Sequence, residues 1–418
     1  MRSILLRIVP PTRPVPLFQS SEDGAFPVHY RVPALERTAD GSLLAFVEAR
    51  EEDGSDWAPS AIVARRCADP VGNFNRWDLP RKVYRSSLQV EPRTWVDVLL
   101  AARRAERRGL DPDSMEKVPT IPACTNNPAP VLDRDTGVVH LLFCEHYEHL
   151  RHVWSNDGGR TWSGPANLDG ALEPLRATWP WTVVASGPGH GLQLHEGPLA
   201  GRLVVPLWLA ASEDPRAHQP SRVATIYSDD GGDSWMAGEL VPGNVNNPNE
   251  TQLVQRGDGV VLAYSRTLQP RDPQRPVARR ARSTSPDGST GWTEYEFDPA
   301  VPEPVCQGSL LRAQAPLENG GLALTVLTLP DCLDDPRGSP RNRRNLTAWA
   351  SADDARSWRA KRVIDPGPSA YSDLAADAEA GEFFCLYERG WRREGSALPV
   401  EVAATKFDAE WLLGGAAP

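Results

Sequence analysis

One octapeptide recurs along this chain, and it limits the possible folds more than any other feature. Residues 155–162 read S-N-D-G-G-R-T-W and residues 228–235 read S-D-D-G-G-D-S-W. Looser copies stand at 285–292, S-P-D-G-S-T-G-W, and at 351–358, S-A-D-D-A-R-S-W. Ser, Asp and Trp keep their places in every copy. The D-x-G core is a hairpin-turn signal, because Asp bonds its own backbone and Gly accepts positive φ. The closing Trp is expected to tuck under the turn as a local plug. These boxes are read as structural, with no chemistry of their own.

The copies start about 57 to 73 residues apart, farther than the roughly 40–50 residues of WD40 and kelch blades. Between them lie short apolar runs bounded by Gly, Pro or Asp: G-V-V-H-L-L-F-C, R-L-V-V-P-L-W-L, G-V-V-L-A-Y-S, A-L-T-V-L-T-L and F-F-C-L-Y. Runs of that length and bounding read as strands. Forty prolines and 33 glycines suit many short strands joined by turns. A period near 65 over 418 residues gives an all-β chain, a six-bladed β-propeller with four strands to a blade. A single domain, 1–418, is expected. The exception to the strand pattern is 92–122. Within it, residues 94–108 carry apolar side chains at helical spacing (Val96, Leu99, Leu100, Ala102), and Gly109 supplies a stop. This is read as one helical insertion, either a lid on one face or a helix packed remotely on a blade.

The formal charge of −10 argues against nucleic acid and anionic membranes as partners. It leaves room for a small anion held by a local arginine cluster, because salt screens distant charges within about 8–10 Å. The cysteines are Cys67, Cys124, Cys144, Cys306, Cys332 and Cys385. No C-x-x-C pair occurs, so neither a zinc site nor a disulfide framework is expected. No run approaches the length of a membrane span, and the N-terminus is too short and interrupted for a signal peptide. A cytoplasmic monomer is expected.

Arginines abut apolar strands in several repeats: Arg31 in H-Y-R-V-P-A-L, Arg50 at the end of L-L-A-F-V-E-A-R, Arg266 after V-V-L-A-Y-S, and Arg343 in R-N-R-R-N-L. In a propeller, strand ends from different blades converge on the central axis. Guanidinium groups gathered there would grip a carboxylate bidentately.

Y-R-V-P near the N-terminus together with the S-x-D-x-G-x-T-W boxes resembles the exo-α-sialidases (neuraminidases), both animal enzymes and their bacterial relatives. Further agreeing segments include N-N-P-A-P-V (126–131), C-Q-G-S (306–309), A-Y-S-D-L (370–374) and C-L-Y-E (385–388). The likeness runs from about Tyr30 to about Glu388. It implies a role for each matching position. Arg31, Arg266 and Arg343 match the triad that holds the substrate carboxylate; Arg341 and Arg344 are rivals for the third place, and R-x-N-L spacing favours Arg343. Arg50 matches a fourth arginine lining the pocket. Tyr371 matches the nucleophile, Glu250 its base partner and Asp56 the acid/base, with Asp53 as rival. Glu388 matches the carboxylate that orients Arg31. No metal or cofactor is implied, and the partner is a sialylated glycan.

Most retaining glycosidases use two carboxylates, and sialidases with a tyrosine nucleophile depart from that pattern. Sialic acid carries its own carboxylate on the anomeric carbon, so an attacking Asp or Glu would meet like charge. At 4 Å and an effective dielectric of 20 that repulsion is about 4 kcal/mol. A phenol is neutral at rest, and Glu250 can take its proton. Asp56 must then donate a proton to the leaving oxygen, and for that it should be kept partly protonated, by burial under substrate or by an apolar neighbour such as Trp57.

His146, His149 and His152 share a spacing of three, but they sit in a strand context that does not make a metal site. His190, in G-P-G-H-G, is a candidate pocket residue. Alternative readings are a hydrolase of another carboxylated sugar such as KDN, a non-catalytic sialic-acid-binding propeller, and sialic acid transfer.

Overall fold

A computed structural model describes residues 10–21, 28–91, 102, 106, 120–212, 218–243, 245–268, 279–302, 304–317, 320–332, 343–391 and 398–414. The 92–122 insertion lies outside them except for Ala102 and Glu106, both helical, and its C-terminal end. There Ile121–Pro122 pairs with Gln89–Val90 as a small antiparallel ribbon.

The fold is mostly β. The apolar runs form strands buried along their whole length. Val139–Glu145 and Leu203–Ala210 have no exposed position. Continuous burial follows from sheets stacked on both faces, which removes the polar–apolar alternation of a half-exposed strand. Sheets are antiparallel and mostly run in chain order, such as Val28–Arg37, Leu43–Glu51, Ser60–Cys67 and Arg81–Arg85. One path is seven strands long. Its 18-residue strand Ala360–Asp377 pairs with Arg344–Ser351 through its first half and with Glu382–Trp391 through its second. The path is therefore two four-stranded arrays sharing one strand. The second array is completed by Val15–Gln19, which pairs with Pro399–Asp408 and ties the two ends of the chain together.

The inner strands touch in turn: Val28–Arg37 with Thr125–Leu132, that strand with Val183–Ser186 and Leu192–Gln193, the latter with Thr251–Gln255, then Ser309–Ala315, then Ala360–Asp377, and finally Val28–Arg37 again.

Each box joins the third strand of its array to the next. The serine hydroxyl and the aspartate organise the turn. Gly159 N donates to Ser155 Oγ at 2.8 Å, and Thr161 N and Oγ1 donate to the Asp157 carboxylate at 2.9 and 2.6 Å. The same pattern recurs at Ser228/Asp230 and Ser351/Asp353. The tryptophans do more than plug their own turn. Trp162 meets Phe46 edge-on at 5.7 Å, and Trp235 lies 5.4 Å from His152, so each ring wedges against the preceding sheet. An indole is too large to be covered by a tight turn alone, and the neighbouring sheet supplies the remaining apolar contact.

The helix Asp169–Thr178 was not foreseen, because Pro174 interrupts its pattern. It buries Leu172 and Leu175, while Asp169 accepts from Leu150 N at 2.9 Å. All of the cysteines are buried and free. Among the described residues no helix is long and apolar enough to cross a membrane.

Candidate active site

Several strand ends carry irregularities that redirect their side chains. Register shifts fall between Arg31 and Ala34, between Asn126 and Ala129, between Arg344 and Leu346, and between Ser369 and Ser372. A bulge bends its strand and redirects the side chains beside it. At the first of these Pro33 has no N–H to pair, and Val32 adopts φ of 54°. A β-branched residue is strained there. The turn brings Val32 N to Glu388 Oε1 at 3.0 Å.

Glu388 is fully buried and holds Arg31, whose Nε donates to Oε1 at 2.6 Å. The other oxygen accepts from Tyr371 N at 3.4 Å. Tyr371 sits in the bulge of its strand, only 9% exposed. Its hydroxyl donates to Glu250 Oε1 and accepts from Arg266 at 2.8 Å. Arg266 also pairs with Glu250 directly. Their backbones face one another across a hairpin, with Arg266 N donating to Glu250 O at 2.9 Å. The guanidinium carbons of Arg31 and Arg343 lie 5.7 and 5.5 Å from the centre of the Tyr371 ring. Arg343 donates to Val305 O, and its Nε is buried without a hydrogen-bond partner among the described residues. The three arginines named from the sequence thus gather around one phenol. Of its rivals, Arg341 lies outside the described residues, and Arg344 begins a strand in register with Pro368. Burial pushes the Tyr371 phenol well above its usual range, Glu250 adds to this, and Arg266 and Arg343 oppose it.

Arg50 lines the same cavity. It pairs with Glu48 and Asp56, each at 2.6 Å. Glu48 also accepts from Asn127 N at 2.6 Å and Asn126 Nδ2 at 3.1 Å. The sequence carried a signal for Glu48 that went unused: in E-A-R, Glu48 and Arg50 are two apart on a strand and share a face. Asp56 reaches the site on a loop that needs Gly54. This glycine has φ of 68°, and a Cβ there would lie 2.8 Å from the His29 ring. Asp53 faces away as an exposed turn cap, accepting from Ser55 N at 3.0 Å.

The charges around Asp56 act against the partial protonation expected of it. Burial raises its carboxyl, but Arg50, Arg31 and His218 outweigh burial and hold it well below the carboxylate range. Half of its side chain is exposed. The Trp57 ring packs on Tyr147 at 4.9 Å.

Arg31, Arg50, Asp56, Glu250, Arg266 and Tyr371 surround a cavity of about 210 Å³, completed by Tyr147, Trp208, His218 and Asn249 among others. These last four were missed because each stands in an ordinary strand or loop context. His190 does not line it. Its Nδ1 lies 2.8 Å from Asp373, and it faces a cavity of about 510 Å³ at the other end of the inner strands. The other histidines diverge. His149 pairs with Asp169 at 2.8 Å, His152 contacts His140 at 3.0 Å, and His146 lies beside Trp57. Among the described residues no cluster of His, Cys, Asp or Glu has the arrangement of a metal site.

The profile of the BNR repeat-like domain family matches residues 82–385. The chain is 26% identical over 411 residues to a sialidase of Micromonospora viridifaciens, covering 93% of this chain and 53% of that protein. It is 25% identical over 430 residues to Sialidase-3 of Bos taurus, covering 91% and 90%. The chain thus spans about half the length of the first and nine-tenths of the second. Among solved structures, a "Hadza microbial sialidase" superimposes with a TM-score of 0.67 at 22% identity, covering 92% of this chain and 66% of that one. The chain belongs to the BNR repeat-like domain family, and the relatives it resembles carry the name sialidase.

Proposed function

We propose that the protein is an exo-α-sialidase that releases terminal sialic acid from glycoconjugates with retention, using Tyr371 as nucleophile. The observation that carries this reading is the shared hydrogen bonding of one buried phenol to Glu250 and Arg266, with Arg31 and Arg343 flanking its ring. The closed round of inner-strand contacts supports a six-bladed propeller.

In this mechanism the substrate carboxylate sits among Arg31, Arg266 and Arg343, which fixes the anomeric carbon over the phenol. Burial keeps Tyr371 neutral at rest, so the two anions do not meet. As the phenol oxygen attacks, its proton passes to Glu250. Arg266, already donating to that oxygen, stabilises the charge that develops. Asp56 serves the leaving oxygen on the open side of the pocket. Water then attacks the glycosyl–tyrosine, and Glu250 returns the proton to the phenol.

The test is turnover of the 4-methylumbelliferyl conjugate of N-acetylneuraminate beside that of KDN, with NMR of the first-formed anomer. Release of the α-anomer, lost in Tyr371→Phe, is the expected result. A β-anomer as first product, or no turnover between pH 4 and 8, would overturn the reading.

A further inference from the structure

We propose that His218 relays the proton that Asp56 delivers to the leaving oxygen. The inference rests on the sialidase reading and deepens it. It begins from a disagreement within the site. The group placed to protonate the leaving oxygen is bound to Arg50 at 2.6 Å and is held as a carboxylate. A carboxylate in that state needs a donor beside it.

The candidate donor is His218. It shares the cavity wall with Asp56 and Glu250. Its ring packs against Trp208 at 5.0 Å, Tyr147 at 5.1 Å and Trp57 at 6.3 Å between centroids. These aromatic neighbours fix the ring but offer its nitrogens little. The Nε2 atom is buried and has no hydrogen-bond partner among the described residues. A buried polar atom without a partner costs about 1–3 kcal/mol, so its retention at a cavity wall calls for a role.

Elimination points the same way. The cavity's arginines stay charged at any working pH. Tyr147 and Tyr371 are pushed up by burial, and Glu250 already receives the phenol proton. The imidazole is the group in the wall that changes charge near physiological pH. The ionisable groups facing it are Asp56 and Glu250, which favour imidazolium, and Arg266 and Arg50, which oppose it. Burial is the largest influence and lowers its pKa. A bound substrate carboxylate adds negative charge and shifts the balance back toward imidazolium.

The step balances. The bond from the anomeric carbon to the leaving oxygen breaks as the bond to the Tyr371 oxygen forms, and the phenol proton goes to Glu250. Asp56, resting as a carboxylate, takes a proton from the His218 imidazolium and passes it to the leaving oxygen, which leaves His218 neutral and Asp56 a carboxylate again. In the second step the attacking water returns a proton through Asp56 to His218, and Glu250 reprotonates Tyr371.

The experiment compares sialyl-lactose, whose leaving alcohol needs a proton, with the 4-methylumbelliferyl conjugate, whose phenolate needs little help. His218→Asn removes the relay, and His218→Phe keeps the ring packing. Both are expected to lose kcat/KM at least tenfold more on sialyl-lactose than on the aryl conjugate, within the usual range for acid catalysis. Equal losses on both substrates, or no loss, would overturn the proposal. The pH profile of the unaltered enzyme tests it without any variant. The ratio of kcat/KM on sialyl-lactose to that on the aryl conjugate should fall as pH rises through a single ionisation below about 6.5; a flat ratio overturns it. If the unaltered enzyme turns over neither substrate, the sialidase reading itself fails.

Discussion

The boxes and the cavity solve the same problem, holding charge at a chain bend, in opposite ways. In a box the aspartate is satisfied within four residues: Asp157 accepts from Ser155, Arg160 and Thr161, and its carboxyl falls to about 2 under those hydrogen bonds. In the cavity, Arg31 finds Glu388 from 357 residues away and Tyr371 finds Glu250 from 121 away. Local satisfaction makes a motif that repeats and tolerates drift, as the looser third and fourth copies show. Distant satisfaction makes a site that exists only once the sheets are assembled. The difference teaches that stability and chemistry are separable in this fold.

Substitutions can break or sharpen that separation. The largest effect is expected from Tyr371→Phe, which should lower kcat by on the order of 10⁴ or more while the melting temperature barely moves, since removing a nucleophile collapses a unit that acts together. Steady-state kinetics beside calorimetry checks this. Next comes Glu388→Gln, which leaves Arg31 buried beside a neutral amide. Removing one partner of a buried pair costs about 3–5 kcal/mol, so this cavity residue should affect both KM and thermal unfolding. A stable variant with unchanged KM would mean that Arg31 does not depend on Glu388.

Asp157→Ala should cost about 2 kcal/mol in chemical denaturation, from hydrogen bonds to a charged group, with kcat unchanged. A fall in kcat would tie the boxes to the cavity and break the comparison. The contribution should itself vanish in acid. The folded carboxyl is depressed, so its stabilisation is present above about 3.8 and is lost as pH falls through about 2.

The smallest effect concerns the histidines beneath the second box. Burial lowers both His140 and His152, the latter to about 3 with His140 as a further cause. The unfolded chain binds protons on these rings near pH 6.5 while the folded one does not, so stability is full above that value and falls below it. One pH unit lower the loss from His152 is about 1 kcal/mol. The double variant H140F/H152F should flatten the melting profile between pH 6.5 and 5; an unchanged slope would place the acid sensitivity elsewhere.

Much of the fold was legible because its signals are short-range. The boxes and apolar runs announce turns and strands within ten residues, and their spacing announces repetition. The pairing of Val15–Gln19 with Pro399–Asp408 was not legible, since neither segment carries a box and their contact spans the chain. The wedging of Trp162 and Trp235 against neighbouring sheets escaped for the same reason. In the cavity, the resemblance identified the residues that meet around Tyr371. It did not identify His218, whose context is an unremarkable loop, and His190, a candidate from its G-P-G-H-G bend alone, lines the other cavity.

The sequence by itself determined where this chain turns, which segments are buried strands, and which ionisable residues it has to offer, because propensity and hydrogen bonding over a few residues decide those. Only the tertiary structure decided what those ionisable groups are. Whether Asp56 rests as an acid or a carboxylate, and whether Tyr371 rests as a phenol, depends on desolvation and on charges brought within a few ångströms by strands far apart in the chain.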